Sequence, residues 1–232
     1  MKIGVIIPDR GDRPEFKKLC LQMLRAQTLE PHWIEIVNYP PETDKPDITQ
    51  RYRRGYEKFP RTYDVFFFIE NDDYYAPTYI EEMCEAWNKA GRPDLFGTAY
   101  TTYYHLRLRK YFKFNHPTRS SAMNTMIKPG LAINWCDDHE VFTDMFLWTR
   151  DTCFNGTKAV WTPPDHLSIG IKHGIGKCGG RQHTTGLQRF TSNGGLGNEE
   201  NGGRDDENAA WLEERVKDES TIKYYKDFFN KF

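Results

Sequence analysis

The chain has 232 residues, and its 32 basic and 33 acidic residues nearly cancel, so no overall field draws it to nucleic acid or to a membrane surface. That length suits one large domain, or a domain with a small appendage, and an aromatic share of 15% suits a core of moderate size and a site that stacks rings. The opening MKIGVIIPDRGDRP is too short an apolar run for a signal peptide, no segment approaches the roughly 20 apolar residues of a bilayer span, and the five scattered cysteines form no CxxC pair, so the expectation is a cytoplasmic protein with reduced thiols, no structural zinc and no membrane partner.

In chain order, residues 3–7 form a continuous apolar run ending at Pro8, as a buried parallel strand does. From Pro14, the residues Phe16, Leu19, Cys20, Met23, Leu24 and Gln27 fall at helical spacing, with the proline suited to the first turn. Residues 33–37 read as a second strand, 48–58 as a basic helix, 65–69 as a third strand and 77–90 as another helix. Strand, helix, strand, helix, strand is a βαβαβ unit, which predicts an α/β sheet wrapped by helices.

The second half is less regular. Residues 98–114 alternate ring, polar and basic side chains and predict two strands or a ribbon; 137–150 predict a helix, and 160–171 a short strand with a Pro-Pro turn. A Gly-rich basic loop is expected over 172–186, and a Gly/Asn/acidic stretch over 192–206. A terminal helix is expected over 209–229. The predicted organisation is a catalytic domain over 1–191, a mobile loop or lid over 192–208, and a C-terminal helix over 209–232 packed on the domain.

The third strand, VFFFI, runs straight into Glu70, Asn71, Asp72 and Asp73. Carboxylates repel one another and are costly to bury unpaired, so a positive partner is expected, a divalent cation first among candidates. In an open α/β sheet, ligands collect at the carboxyl ends of strands. An extended segment would turn Glu70 and Asp72 toward a ligand and Asn71 away. Mg²⁺ or Mn²⁺ prefers such oxygen donors and uses few protein carboxylates beside substrate phosphates. The competing reading is an acidic turn that caps the helix following Pro77.

The run VIIPDRGDRPEFKKLCLQMLRAQT, a basic helix and then YDVFFFIENDDYYAPTYIEEM resemble, in that order, the GT-A nucleotide-sugar glycosyltransferases of the family 2 type. Two features depart from the pattern: Glu70 stands where the first Asp is usual, and the second strand lacks the acidic turn that commonly holds the nucleobase. The resemblance implies a GT-A-like, Rossmann-like mixed and mostly parallel sheet flanked by helices, with an irregular acceptor-side second half. It implies hexosyl or pentosyl transfer, with inversion, from a nucleoside diphosphate sugar, a UDP-sugar foremost, using Mn²⁺ or Mg²⁺. Carried over by position, Asp72 binds the metal with Asp73 or Glu70 assisting, and Asn71 lies beside the donor. Pro8, Asp9 and Arg10 line the nucleotide pocket, with Arg13 nearby and Arg51 or Arg54 approaching from the basic helix.

The stretch FTDMFLWTR resembles the helix that carries the family's general base, which points to Asp144; Asp137 and Asp138, in NWCDDHE, are the rivals, with a helix N-cap as their structural alternative. In IKHGIGKCGGRQHTTG, Lys172, His173, Lys177, Arg181 and His183 are expected to balance phosphate charge, and His173 matches the histidine that completes the metal shell in related enzymes. The stretch YYHLRLRKYFKFNHPTRS interleaves Tyr103, Tyr104, Tyr111, Phe112 and Phe114 with Arg107, Arg109, Lys110, Lys113 and Arg119, the ingredients of a nucleic-acid contact, and Tyr104, Arg107, Arg109 and Lys113 are taken as its acceptor residues. They suggest a phage-type enzyme acting on hydroxymethylated pyrimidines in DNA. A saccharide or protein acceptor stands as the alternative, as does a nucleotide-sugar-binding protein without activity.

Overall fold

A computed structural model describes residues 1–175 and 203–229. The first βαβαβ unit is as expected: β1 (Ile3–Pro8), α1 (Pro14–Arg25), β2 (Trp33–Val37), α2 (Ile48–Lys58) and β3 (Val65–Phe68). Parallel pairing sets Ile6 beside Phe68 and Pro8 beside Val37, so all three strands deliver their carboxyl ends to one edge. The chain continues through β4 (Tyr74–Tyr75), α3 (Tyr79–Lys89), β5 (Leu95–Thr98), β6 (Tyr100–His105), β7 (Lys110–Asn115), β8 (Thr125–Ile127), α4 (Thr143–Thr149), β9 (Lys158–Trp161) and β10 (Ser168–Lys172). It closes with β11 (Arg204–Asp205), α5 (Ala210–Arg215) and α6 (Glu219–Phe229).

The main sheet runs β2-β1-β3-β8-β5-β9. Its pairs are parallel except where β8 runs antiparallel to both β3 and β5. Strand alternation divides the core into two layers. Ile3, Val5, Ile7, Val65 and Phe67 pack with Phe16, Met23, Tyr79 and Trp87 from α1 and α3. Ile6, Phe66 and Phe68 pack with Tyr52 and Tyr56 of α2. Gly55 brings α2 close to β1, because a Cβ there would stand 2.4 Å from Ile6 Cγ2.

The expected irregular half contains a second sheet, β11-β7-β6-β10-β4. Lys172, expected to open the loop, instead ends β10, which pairs parallel with β6 and antiparallel with β4. The helix expected over 137–150 is confined to α4, because Asp137 and Glu140 accept backbone N–H groups of His139, Val141 and Phe142 and hold the preceding chain in turns. The terminal helix is two helices; Asp218 accepts the Thr221 N–H at 2.6 Å and starts a new one. Within the expected lid, residues 204–205 pair with β7 as a strand, and 192–202 lie outside the described residues. Among the described residues no helix is long and apolar enough to cross a membrane.

Candidate functional site

A cavity of about 430 Å³ opens at the carboxyl ends of β1 and β3. The β1 end and the turn after it contribute Pro8, Arg10, Asp12 and Arg13; the start of α2 contributes Asp47 and Arg51. Glu70, Asn71 and Asp72 follow β3, and Lys172 ends β10. The rest of the lining comes from Tyr103, Phe114, His116, Arg119, Phe142, Asp144 and Met145, with the Lys172 ammonium 4.7 Å from the Tyr103 ring.

The acidic segment is a turn, closed by the Asp73 N–H on the Glu70 carbonyl at 3.4 Å, rather than an extended strand. Asn71 therefore does not point away; it faces the cavity and donates to Asp9 Oδ1 at 3.1 Å. Oxygens of Glu70, Asp72 and Asp73 come within 4.8 Å of one another. Burial, then the Asp72 charge, pushes the Glu70 carboxyl up to about 7. Burial and the same two neighbours hold Asp73 well above the carboxylate range. Burial also opposes ionisation of Asp72, but Arg13 and His173 outweigh it and keep that carboxyl well below its usual range. Asp72 Oδ2 accepts from the Arg13 guanidinium and from His173 Nε2 at 2.8 Å. Asp72 Oδ1, Asp73 Oδ2 and Asn71 Oδ1 are buried and accept no hydrogen bond among the described residues. Orphaned oxygens beside mutually repelling carboxylates are the donor set a hard divalent cation takes, so these residues fit one.

His173 stands behind Asp72 rather than in the cavity wall. It is fully buried, stacked 4.2 Å from Phe16, and its Nδ1 accepts the Ile175 N–H at 3.0 Å. That bond assigns the proton to Nε2, so in this state the ring serves Asp72 as a donor. Asp73 also lies behind the wall, where its Oδ1 accepts the Ile171 N–H at 2.7 Å and ties the acidic turn to β10. Asp9 underpins the β1 turn, accepting from Gly11, Asn71 and Lys17.

Facing the acidic turn, Asp144 in the first turn of α4 accepts from Arg119 Nη1 at 2.9 Å. Burial pushes its carboxyl up to about 6 although Arg119 pulls the other way. Tyr103 links the two sides, its hydroxyl raised by burial and then by the charges of Asp144 and Glu70. A carboxylate that burial raises to about 6, in the same cavity as paired cations and anions, can act as a general base beside an ionic-ligand site.

Of the expected site residues, Pro8, Arg10, Arg13, Arg51, Glu70, Asn71, Asp72 and Asp144 line this one cavity. Arg51, however, has its two terminal nitrogens engaged by the backbone oxygens of Asp9, Val37 and Tyr39 and by Asp47. Arg54 pairs with Glu42 and lies over Tyr39, and Asp138 pairs with Arg53; neither reaches the cavity. The expected acceptor set lies elsewhere because strand alternation selects its neighbours. Tyr104 is buried against Trp211, and Lys113 binds Asp165, whereas Tyr103 and Phe114, one place removed on the same strands, face the cavity. Arg109 donates to the Glu207 carbonyl and Arg107 is exposed near Gly174. Lys177 and Arg181 lie outside the described residues. Phe142 is not among the expected site residues. Tyr103, Phe114 and Arg119 belong to the ring-and-cation stretch that the sequence singles out, but the expectation takes Tyr104 and Lys113 from it instead, and the period of two along 100–115 holds the signal that separates them.

The mixed, mostly parallel sheet flanked by helices, with its cavity at the strand ends, is a GT-A-like fold. Solved structures share it. A structure of S. aureus TarS superposes with a TM-score of 0.54 at 11% identity, covering 75% of this chain and 37% of that one. TarS 1–349 in complex with UDP-GlcNAc gives 0.54 at 13%, covering 74% and 59%. The same fragment in complex with UDP gives 0.52 at 12%, covering 74% and 60%. The likeness is one of fold, and the chain spans between 37% and 60% of the length of these structures. No protein-family model and no curated protein sequence matches the chain.

Proposed function

We propose that this chain is a glycosyltransferase that moves a sugar from a nucleoside diphosphate donor to an acceptor hydroxyl with inversion. The observation that carries the reading is one cavity lined both by an acidic turn with cations and by Asp144, whose carboxyl burial raises to about 6. The fold shared with TarS structures holding UDP and UDP-GlcNAc favours a UDP-sugar as donor.

In this reading Asp144 takes the proton of the acceptor hydroxyl as the new bond to the sugar carbon forms and the bond from that carbon to the diphosphate oxygen breaks. Arg119 holds the Asp144 carboxylate in place through the bond at 2.9 Å. Lys172 and Arg13 balance negative charge on the departing diphosphate. Asp72, with Glu70 and Asp73, would hold Mn²⁺ or Mg²⁺, which supplies Lewis-acid stabilisation of the diphosphate oxygens when bound. His173 keeps Asp72 oriented and ionised.

The test is thermal unfolding with UDP, UDP-sugars and GDP-sugars, each with and without Mn²⁺, followed by nucleotide release. A ligand present at 100 times its Kd stabilises by about 2.7 kcal/mol. The expected result is stabilisation that requires both nucleotide and metal and disappears in Asp72→Ala. Absence of stabilisation by every nucleotide sugar, with metal or without, overturns the proposal.

A further inference from the structure

We infer that the acceptor is a neutral saccharide whose ring lies on Phe142 and Met145 beside Asp144; this rests on the transferase reading above. Phe142 stands at the N-cap of α4, where no side chain caps the helix. A Ser, Thr, Asp or Asn would satisfy a backbone N–H there, so phenylalanine gives up local helix stability. It is also 48% exposed, and Met145, on the same face three residues on, is 42% exposed. The other exposed large hydrophobics among the described residues are Met1, at the terminus, and Trp33, on the edge strand. Two uncovered apolar side chains bracketing the proposed base mark a contact surface. Phe114 extends it, with the Arg119 guanidinium 5.9 Å from its ring.

Charge then selects the ligand. The cations beside these residues are Arg119, whose Nη1 is committed to Asp144, and Lys172, which lies 4.7 Å from the Tyr103 ring and is assigned above to the diphosphate. A nucleic-acid acceptor needs several phosphates neutralised. Three of the ribbon cations that would do so are engaged elsewhere, Lys110 by Asp205, Lys113 by Asp165 and Arg109 by Glu207, and Arg107 lies near Gly174, outside the cavity lining. A pyranose needs no such charge. Its C–H face covers an aromatic ring while its hydroxyls reach a carboxylate, which suits Phe142 and Asp144 side by side.

The experiment measures UDP release from UDP-sugars with water alone, with a panel of p-nitrophenyl pyranosides, and with a single-stranded oligonucleotide carrying 5-hydroxymethylcytosine. At least one pyranoside is expected to raise release above hydrolysis. Phe142→Ala should then raise the acceptor KM about tenfold, and Phe142→Trp should restore it to within about twofold. Stimulation by the oligonucleotide alone, hydrolysis that no pyranoside accelerates, or an acceptor KM unmoved by Phe142→Ala overturns the acceptor assignment while leaving the transferase standing. No UDP release under any condition, together with no stabilisation by UDP, overturns the transferase itself.

Discussion

Replacing Arg51 by methionine separates a scaffold role from a ligand role at the same cavity. The side chain is 1% exposed, and Nη1 donates to the Asp9 and Val37 carbonyls at 2.7 and 2.8 Å. Nη2 donates to the Tyr39 carbonyl at 3.0 Å and to Asp47 at 2.8 Å. Methionine fills most of the volume but leaves the Tyr39 and Asp9 carbonyls without this donor. Val37 O keeps the Asp9 N–H, and Asp47 keeps Arg10 at 3.0 Å, which limits the loss. Two orphaned carbonyls at about 1–3 kcal/mol each, plus half of a buried ion pair, give a destabilisation of about 4 kcal/mol. For a chain of this size that lowers Tm by roughly 10 °C. Arg51→Lys should recover only part, since an ammonium cannot reproduce the fork. Urea unfolding followed by circular dichroism measures the effect, with UDP affinity measured on the folded variant. A midpoint unchanged from wild type, with UDP affinity lost, would refute the scaffold argument and return Arg51 to the nucleotide.

Other outcomes follow from the same geometry. Because Asp144 must be ionised to accept a proton and titrates near 6, kcat/KM should rise with pH through about 6; Arg119→Gln removes a charge that favours ionisation and should move that limb upward by about one pH unit. Asp144→Asn should lower transfer at least about 100-fold while UDP still raises Tm. Asp72→Asn leaves Arg13 and His173 facing an amide, so Mn²⁺ should no longer enhance UDP binding in calorimetry. Gly55→Ala drives a methyl to 2.4 Å from Ile6 Cγ2 and should cost about 1–3 kcal/mol in urea unfolding.

The βαβαβ half was legible because its signals are local. Continuous apolar runs over 3–7 and 65–69, and helical spacing from Phe16 to Leu24, specify buried strands and an amphipathic helix before any tertiary contact forms. Parallel pairing then brings their carboxyl ends to one edge, where Glu70 and Asp72 can be placed from the residues, whereas Pro8 and Arg13 follow from the family resemblance. The pair β5 and β8 was missed because each is three or four residues long and gains its partner only across the fold.

What the sequence determined alone was the βαβαβ unit, the edge at which its strands end and the acidic residues placed there. Tertiary structure decided which way each side chain faces. A shift of one residue along β6 separates Tyr103 in the cavity from Tyr104 against Trp211, and composition is blind to that shift. Tertiary structure also decided which cations have partners: Arg51 and Arg54 look equivalent on a basic helix, yet one is sealed under three carbonyls and the other reaches Glu42 at the surface. Charge and pattern travel with the chain, whereas orientation and partnership arise only when distant segments meet.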